Sequence, residues 1–158
     1  MSRTKARELV FLTLFSLPHS TDLETVLHST DHLPEGEAHY RKLPKKDRKF
    51  FHHLLSSILS EWKLFPEILG PVIEKATKKK WQWSRIGKVE QILLIIAYYE
   101  LFRLKQPPPV VVDAILDLAH KYGEENTPAF LHGLISEMQS YFPEKEEISS
   151  PENPTVQT

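Results

Sequence analysis

The sequence predicts an all-α protein organised around one buried central helix. Three observations carry that expectation. From Gly87 to Leu104 the chain holds an unbroken apolar run, Ile92 to Tyr99, flanked by Glu90, Gln91, Glu100 and Arg103. Elsewhere, apolar residues recur at intervals of three and four, the mark of helices with one buried face. Pro18, Pro66, Pro107 and Pro128 fall at the edges of these periodic segments, where helices stop or start.

A helix apolar almost all round is buried on most sides. The run is shorter than the roughly 18 apolar residues of a membrane span, so it reads as the core helix of a soluble bundle. Gly and Pro are absent inside it, which disfavours a strand. Glu100 lies against the run and, once buried, requires a donor: a backbone amide, a tyrosine hydroxyl or an arginine.

Taken in order, Thr4 to Leu17 is an amphipathic helix with Ala6, Leu9, Val10, Leu14 and Leu17 inward, and Pro18 ends it. Thr21 with Glu24 resembles a capping box for a short helix reaching His28. The stretch from Ser29 to Leu43 shows no period and reads as mostly loop. Lys45 to Trp62 is a strong helix, with Phe51, Leu54, Leu55, Ile58 and Leu59 on one face. Phe65-Pro66 breaks or restarts it. Pro66 to Thr77 follows, with a kink expected at Gly70-Pro71, and Lys78 to Trp81 closes it. After the central helix, Gln106 to Pro109 is a stiff turn. Val110 to Tyr122 is the next helix, and Gly123 is its C-cap. Thr127-Pro128 opens the last helix, which the sequence ends near Tyr141, before Pro143.

With 158 residues, 41% of them apolar, the chain has single-domain length and enough apolar side chain for a core. Cysteine is absent, which removes disulfides and thiolate chemistry and fits a reducing compartment. The basic start is interrupted by Glu8 and lacks a small-residue cleavage site, so a cytoplasmic location is expected. The net charge of −1 hides an asymmetry, because Glu144, Glu146, Glu147 and Glu152 crowd the end. Residues 1–142 are therefore read as the folded helical domain and 143–158 as a disordered acidic tail.

Catalytic machinery is not visible. None of the five glycines sits in a phosphate loop or a nucleophile elbow. His28 with His32, and the adjacent His52 and His53, have the best metal spacing, yet they lie in a weak helix or face opposite ways on a strong one. Glu90, Glu100, Asp113 and Asp117 are scattered rather than paired for acid and base work. No enzyme activity, cofactor or metal is expected.

Arg3-Thr4-Lys5-Ala6-Arg7-Glu8 and the helix ending in Phe15 resemble the arginine-rich opening of the NusB transcription antitermination factors. Phe50 to Ile58, then Trp81-Gln82-Trp83-Ser84-Arg85-Ile86 leading to Ala97-Tyr98-Tyr99-Glu100-Leu101, resemble that family's third helix and central signature. Val110 to Asp113, Leu118 to Gly123 and Phe130 to Leu134 match its last two blocks in order. The resemblance covers Arg3 to about Tyr141. It implies about seven helices in two small bundles. It also implies binding to boxA-type single-stranded RNA of nascent ribosomal RNA together with the ribosomal protein NusE, in the transcription elongation complex. Carried over residue by residue, Arg3, Lys5, Arg7 and Phe15 are the RNA-binding candidates, Phe15 mixing core packing with RNA contact. Glu90, Asn126 and Phe130 are the partner-binding candidates. The chain departs from the family in having Gln91 and Ile95 where arginines are frequent, Ser57 for a glycine, His132 for an asparagine, and Thr4 at a usual basic position.

The residues alone leave other readings open. Arg3 and Arg7 share a helix face with Lys5 at an angle, so the group serves as a phosphate-binding arm or as a solvated helix end. Lys45, Lys46, Arg48 and Lys49 either extend that basic surface or solvate a helix start. A helical protein-protein adaptor with weak or no RNA binding is the alternative function, favoured by the thinned arm. The chain also resembles the RNA-binding domain of certain ribosomal RNA cytosine methyltransferases, but no cofactor-binding α/β segment follows.

Overall fold

The computed structural model describes residues 3–17 and 40–148. Among them, six α-helices follow one another: α1 (Arg3–Phe15), α2 (Lys45–Ser60), α3 (Phe65–Ala76), α4 (Lys88–Tyr98), α5 (Pro108–Tyr122) and α6 (Thr127–Ile148). Residues 40–42 form a further helical segment, inside the stretch read as mostly loop. The capping-box helix near Thr21, the pair His28 and His32, and the end of the chain beyond Ile148 lie outside the described residues.

The apolar run forms α4, in which every residue from Ile92 to Tyr98 is buried. It packs against α1, α5 and α6, while α1 also packs on α2, and α6 on α3 and α5. The central helix is thus shared by an N-terminal group, α1 and α2, and a C-terminal group, α3, α5 and α6. Beyond Tyr98 the helix widens into a π turn, Tyr99–Arg103, where Leu104 N donates to the Tyr99 carbonyl at 3.0 Å. Four successive residues, Tyr99 to Phe102, are buried there. Periodicity alone did not indicate this turn, since such bulges are local and rare.

Phe65-Pro66 restarts the chain as expected. A 3-10 turn, Trp62–Leu64, separates α2 from α3, and Pro66 occupies the first turn of α3, where its missing N–H costs nothing. Pro71 lies inside α3 on its exposed side. The last helix corrects the expected end at Tyr141, because α6 continues through Pro143 to Ile148. A proline forfeits one backbone bond, and the Glu and Lys residues that follow are good helix formers. Residues 143–148 thus continue the last helix.

Candidate functional site

The end of α1, the turn after α3, the start of α4 and the α5–α6 loop meet around a groove of about 830 Å³. Its aromatic members are Phe15, Trp81, Tyr122 and Phe130, and its cations are Lys78, Lys79, Arg85 and Lys88. Glu90, Glu124 and Asn126 complete the polar wall.

Each wall has a local cause. Thr77 ends α3 by donating its hydroxyl to the Ile73 carbonyl at 2.9 Å and accepting from Trp81 N at 2.7 Å. Lys80 reverses the chain with a φ of 54°. The turn thereby fixes Trp81 beside Phe130, ring centroids 6.2 Å apart. Arg85 lies over the Trp81 ring at 5.5 Å.

At the start of α4, the Glu90 carboxylate folds back over Gly87, so that a Cβ there would come within 2.5 Å of Glu90 Oε1 and push that carboxylate aside. Glu90 Oε2 accepts from Thr127 Oγ1 at 2.8 Å, and that hydroxyl accepts in turn from Glu124 N at 2.9 Å. Gly123 makes room for the same threonine: a Cβ on it would meet Thr127 Cγ2 at 2.6 Å. Half-buried Glu90 is therefore a strut that ties the central helix to the loop presenting Asn126 and Phe130.

Phe15 is 41% exposed. Its ring stacks on Phe11 at 5.8 Å with the planes 23° apart, and the Lys88 ammonium sits 5.1 Å above it. Lys88 Nζ also donates to the Leu17 carbonyl at 2.8 Å, which anchors the cation at the groove edge. Phe11 packs on Tyr122 at 5.0 Å. The Tyr122 hydroxyl donates to Glu8 Oε2, as does Lys121 Nζ at 2.6 Å. Burial, and then the bond to Glu8, raise the Tyr122 pKa above its ordinary value. The Glu8 hydrogen bond and charge hold Lys121 above its own.

The groove therefore unites four of the seven candidate residues: Phe15, Glu90, half-buried Phe130 and exposed Asn126. The arm is not part of it. Arg3 and Lys5 are exposed at the opposite end of α1, roughly 15–18 Å from Phe15 at about 1.5 Å per residue.

Arg7 corrects the expectation of a three-residue arm. It is 3% exposed and donates through Nε and Nη2 to the two oxygens of Glu100 at 2.5 and 2.8 Å. Arg7 is thus the donor that Glu100 requires. It lies inside the packed stripe of α1, three and four residues before Val10 and Phe11.

The sequence does not mark Trp81, Arg85, Lys88 and Tyr122 as site residues. The usable signal was a basic run, Lys78 to Lys80, followed at once by two tryptophans, a mixture of charge and ring faces suited to nucleic acid. The family's arginine positions take other roles here, since Ile95 is buried and Gln91 donates to the Trp83 carbonyl at 2.9 Å. Among the described residues no group of three His, Cys, Asp or Glu is placed to hold a metal ion, and no helix is long and apolar enough to cross a membrane.

The NusB family model matches residues 4–140. The transcription antitermination protein NusB of Carboxydothermus hydrogenoformans is 31% identical over 146 residues, covering 91% of this chain and 96% of that relative. Thermotoga maritima NusB has the same architecture, with a TM-score of 0.67 at 25% identity over 91% of this chain and 95% of its own. A chain in a crystal structure of the antitermination factors NusB and NusE with double-stranded RNA shares the fold, with a TM-score of 0.65 at 24% identity over 89% of this chain and 98% of its own. By the extent of the family match and the identity to its relatives, this chain belongs to the NusB family.

Proposed function

We propose that the chain is a transcription antitermination factor that binds boxA-type RNA of nascent ribosomal RNA together with the ribosomal protein NusE, within the elongation complex. The observation that carries this reading is the groove, where four cations and four rings surround a concave surface built partly from Phe15, Glu90, Asn126 and Phe130. Cations neutralise the phosphate backbone while exposed rings accept unstacked bases. Phe15 and Lys88 supply one such pair, and Trp81 with Arg85 a second. Asn126 and Phe130, beside Trp81 and tied to the central helix through the Glu90 strut, offer a polar and an apolar contact for NusE. The function needs no catalytic step, cofactor or metal, and its setting is the cytoplasm.

Withdrawal of Arg7 into the core leaves the arm with Arg3 and Lys5, and this favours the protein-protein adaptor as the second reading. A gel shift with boxA-containing RNA, with and without NusE, separates the two. The RNA-binding reading expects a shifted band that NusE strengthens. A NusE complex that never shifts RNA makes the adaptor the better reading.

A further inference from the structure

Away from the groove, residues 41–49 carry six cations against one carboxylate, in a chain whose net charge is −1. Lys42, Lys45, Lys46 and Lys49 are exposed, and none is held in an ion pair among the described residues. The carboxylate, Asp47, is only 1% exposed, and neither of its oxygens has a hydrogen-bond partner among the described residues. Its side chain is turned into the protein and does not cover the lysines.

The segment is also held in shape. Arg48 donates to the carbonyls of Leu43 at 3.1 Å and Arg41 at 3.0 Å, and its guanidinium lies over the Tyr40 ring at 5.0 Å. One arginine is thus spent on rigidity, and the lysines around it are presented on an ordered backbone. Lys46 and Phe50 are one helical turn apart, and Arg3 of α1 lies over the Phe50 ring at 4.6 Å. The exposed start of α1 is therefore continuous with the lysine strip.

We propose that Lys42, Lys45, Lys46, Lys49 and Arg3 form a second phosphate-binding strip, which takes the backbone of the same RNA outside the nucleotides held by the groove. The inference rests on the RNA-binding reading above. Lysines recognise phosphate as point charges without reading bases, so the strip adds affinity equally for any sequence. The groove and the strip lie at opposite ends of α1, and a single strand passing along that helix meets both.

The test compares the wild-type chain with the quadruple variant Lys42→Ala, Lys45→Ala, Lys46→Ala, Lys49→Ala. Each is titrated at several salt concentrations with two single-stranded RNAs, one containing boxA with extra nucleotides on both sides and one the bare element. Each lost phosphate contact lowers the slope of log affinity against log salt by roughly 0.7. The expected result is a lower slope and weaker binding on the extended RNA, with much less change on the bare element. Equal slopes on the extended RNA overturn the strip while leaving the groove in place. Failure of the wild-type chain to bind either RNA overturns the RNA-binding reading and the strip with it. A variant that keeps its RNA affinity but loses NusE assigns the lysines to the protein partner and also overturns the strip. Because the four side chains are exposed, melting should not change. If it does, the single variant Lys46→Gln carries the same comparison.

Discussion

Arg7 in the first helix donates two hydrogen bonds to Glu100 in the π turn, joining positions 93 residues apart within the core. The pair links α1 to the central helix at the point where that helix widens. Removing one partner of a buried pair leaves the other charge uncompensated, which costs about 3–5 kcal/mol, whereas replacing both with apolar residues is often neutral. Arg7→Ala should therefore lower stability by about 3–5 kcal/mol, and Arg7→Met with Glu100→Leu by much less. Urea unfolding of the three variants checks this. A loss below about 1 kcal/mol for Arg7→Ala, the scale of an exposed pair, would place the arginine back at the surface.

Leu94 has no exposure at the middle of α4. Leu94→Ala should cost roughly 2–5 kcal/mol through lost burial and the cavity left behind. Denaturant unfolding measures it, and a change under about 0.5 kcal/mol, usual for a surface substitution, contradicts a central position for α4.

The contrast between Leu94 and Arg7 shows what the sequence makes legible. An apolar run announces its own burial, and Glu100 beside it announces the need for a donor. The identity of that donor lies 93 residues away, beyond the reach of any local pattern. Arg7 reads as part of a basic arm because Arg3 and Lys5 lie close by in the chain and Arg3 shares its helix face, although its spacing to Val10 and Phe11 already puts it on the apolar stripe. The groove is legible only in pieces. Phe15, Glu90, Asn126 and Phe130 come from family resemblance, whereas Trp81, Arg85, Lys88 and Tyr122 join them through turns whose geometry depends on tertiary contacts. The passage of α6 through Pro143 is a case where one missing backbone bond does not end a helix.

Tyr122 and Lys121 both donate to Glu8, clasping α5 to α1 behind the groove. Their pKa values are raised from 10.0 and 10.5, Tyr122 by burial first and Lys121 by the Glu8 hydrogen bond first. A raised pKa means that the folded state holds its proton more tightly than the unfolded chain. The clasp therefore contributes fully below the unfolded values and is lost as pH climbs through the folded ones. Thermal melts should be level up to about pH 10 and fall beyond it. Tyr122→Phe should soften that fall, and an identical profile for wild type and variant would remove Tyr122 from the clasp.

Phe130 is half-buried against Trp81 at the groove wall. Phe130→Ala should cost less than the roughly 3–5 kcal/mol of a fully buried phenylalanine. Affinity for NusE should drop while the fold persists. A variant that unfolds would assign the ring to the core, and unchanged NusE affinity in a folded variant would remove it from the interface.

The groove and the arm make separable demands on RNA binding. Lys78, Lys79 and Arg85 are exposed at the groove, while Arg3 and Lys5 are exposed at the far end of α1. If each meets a phosphate, the triple replacement by alanine should lower the salt slope by roughly 2 and the arm pair by roughly 1.4, at about 0.7 per contact on a single strand. Arg85 has a second task, because its guanidinium covers Trp81 and a base stacked there would share that face. Arg85→Lys keeps the charge but loses the planar stacking surface. It should therefore preserve the salt slope while weakening binding to boxA and to an unrelated strand alike, because stacking does not read sequence. Titration at several salt concentrations, with melting as the control for folding, reads both effects. Triple-variant protein with undiminished affinity and slope, still binding NusE, would move RNA recognition out of the groove and leave that surface to the protein partner alone.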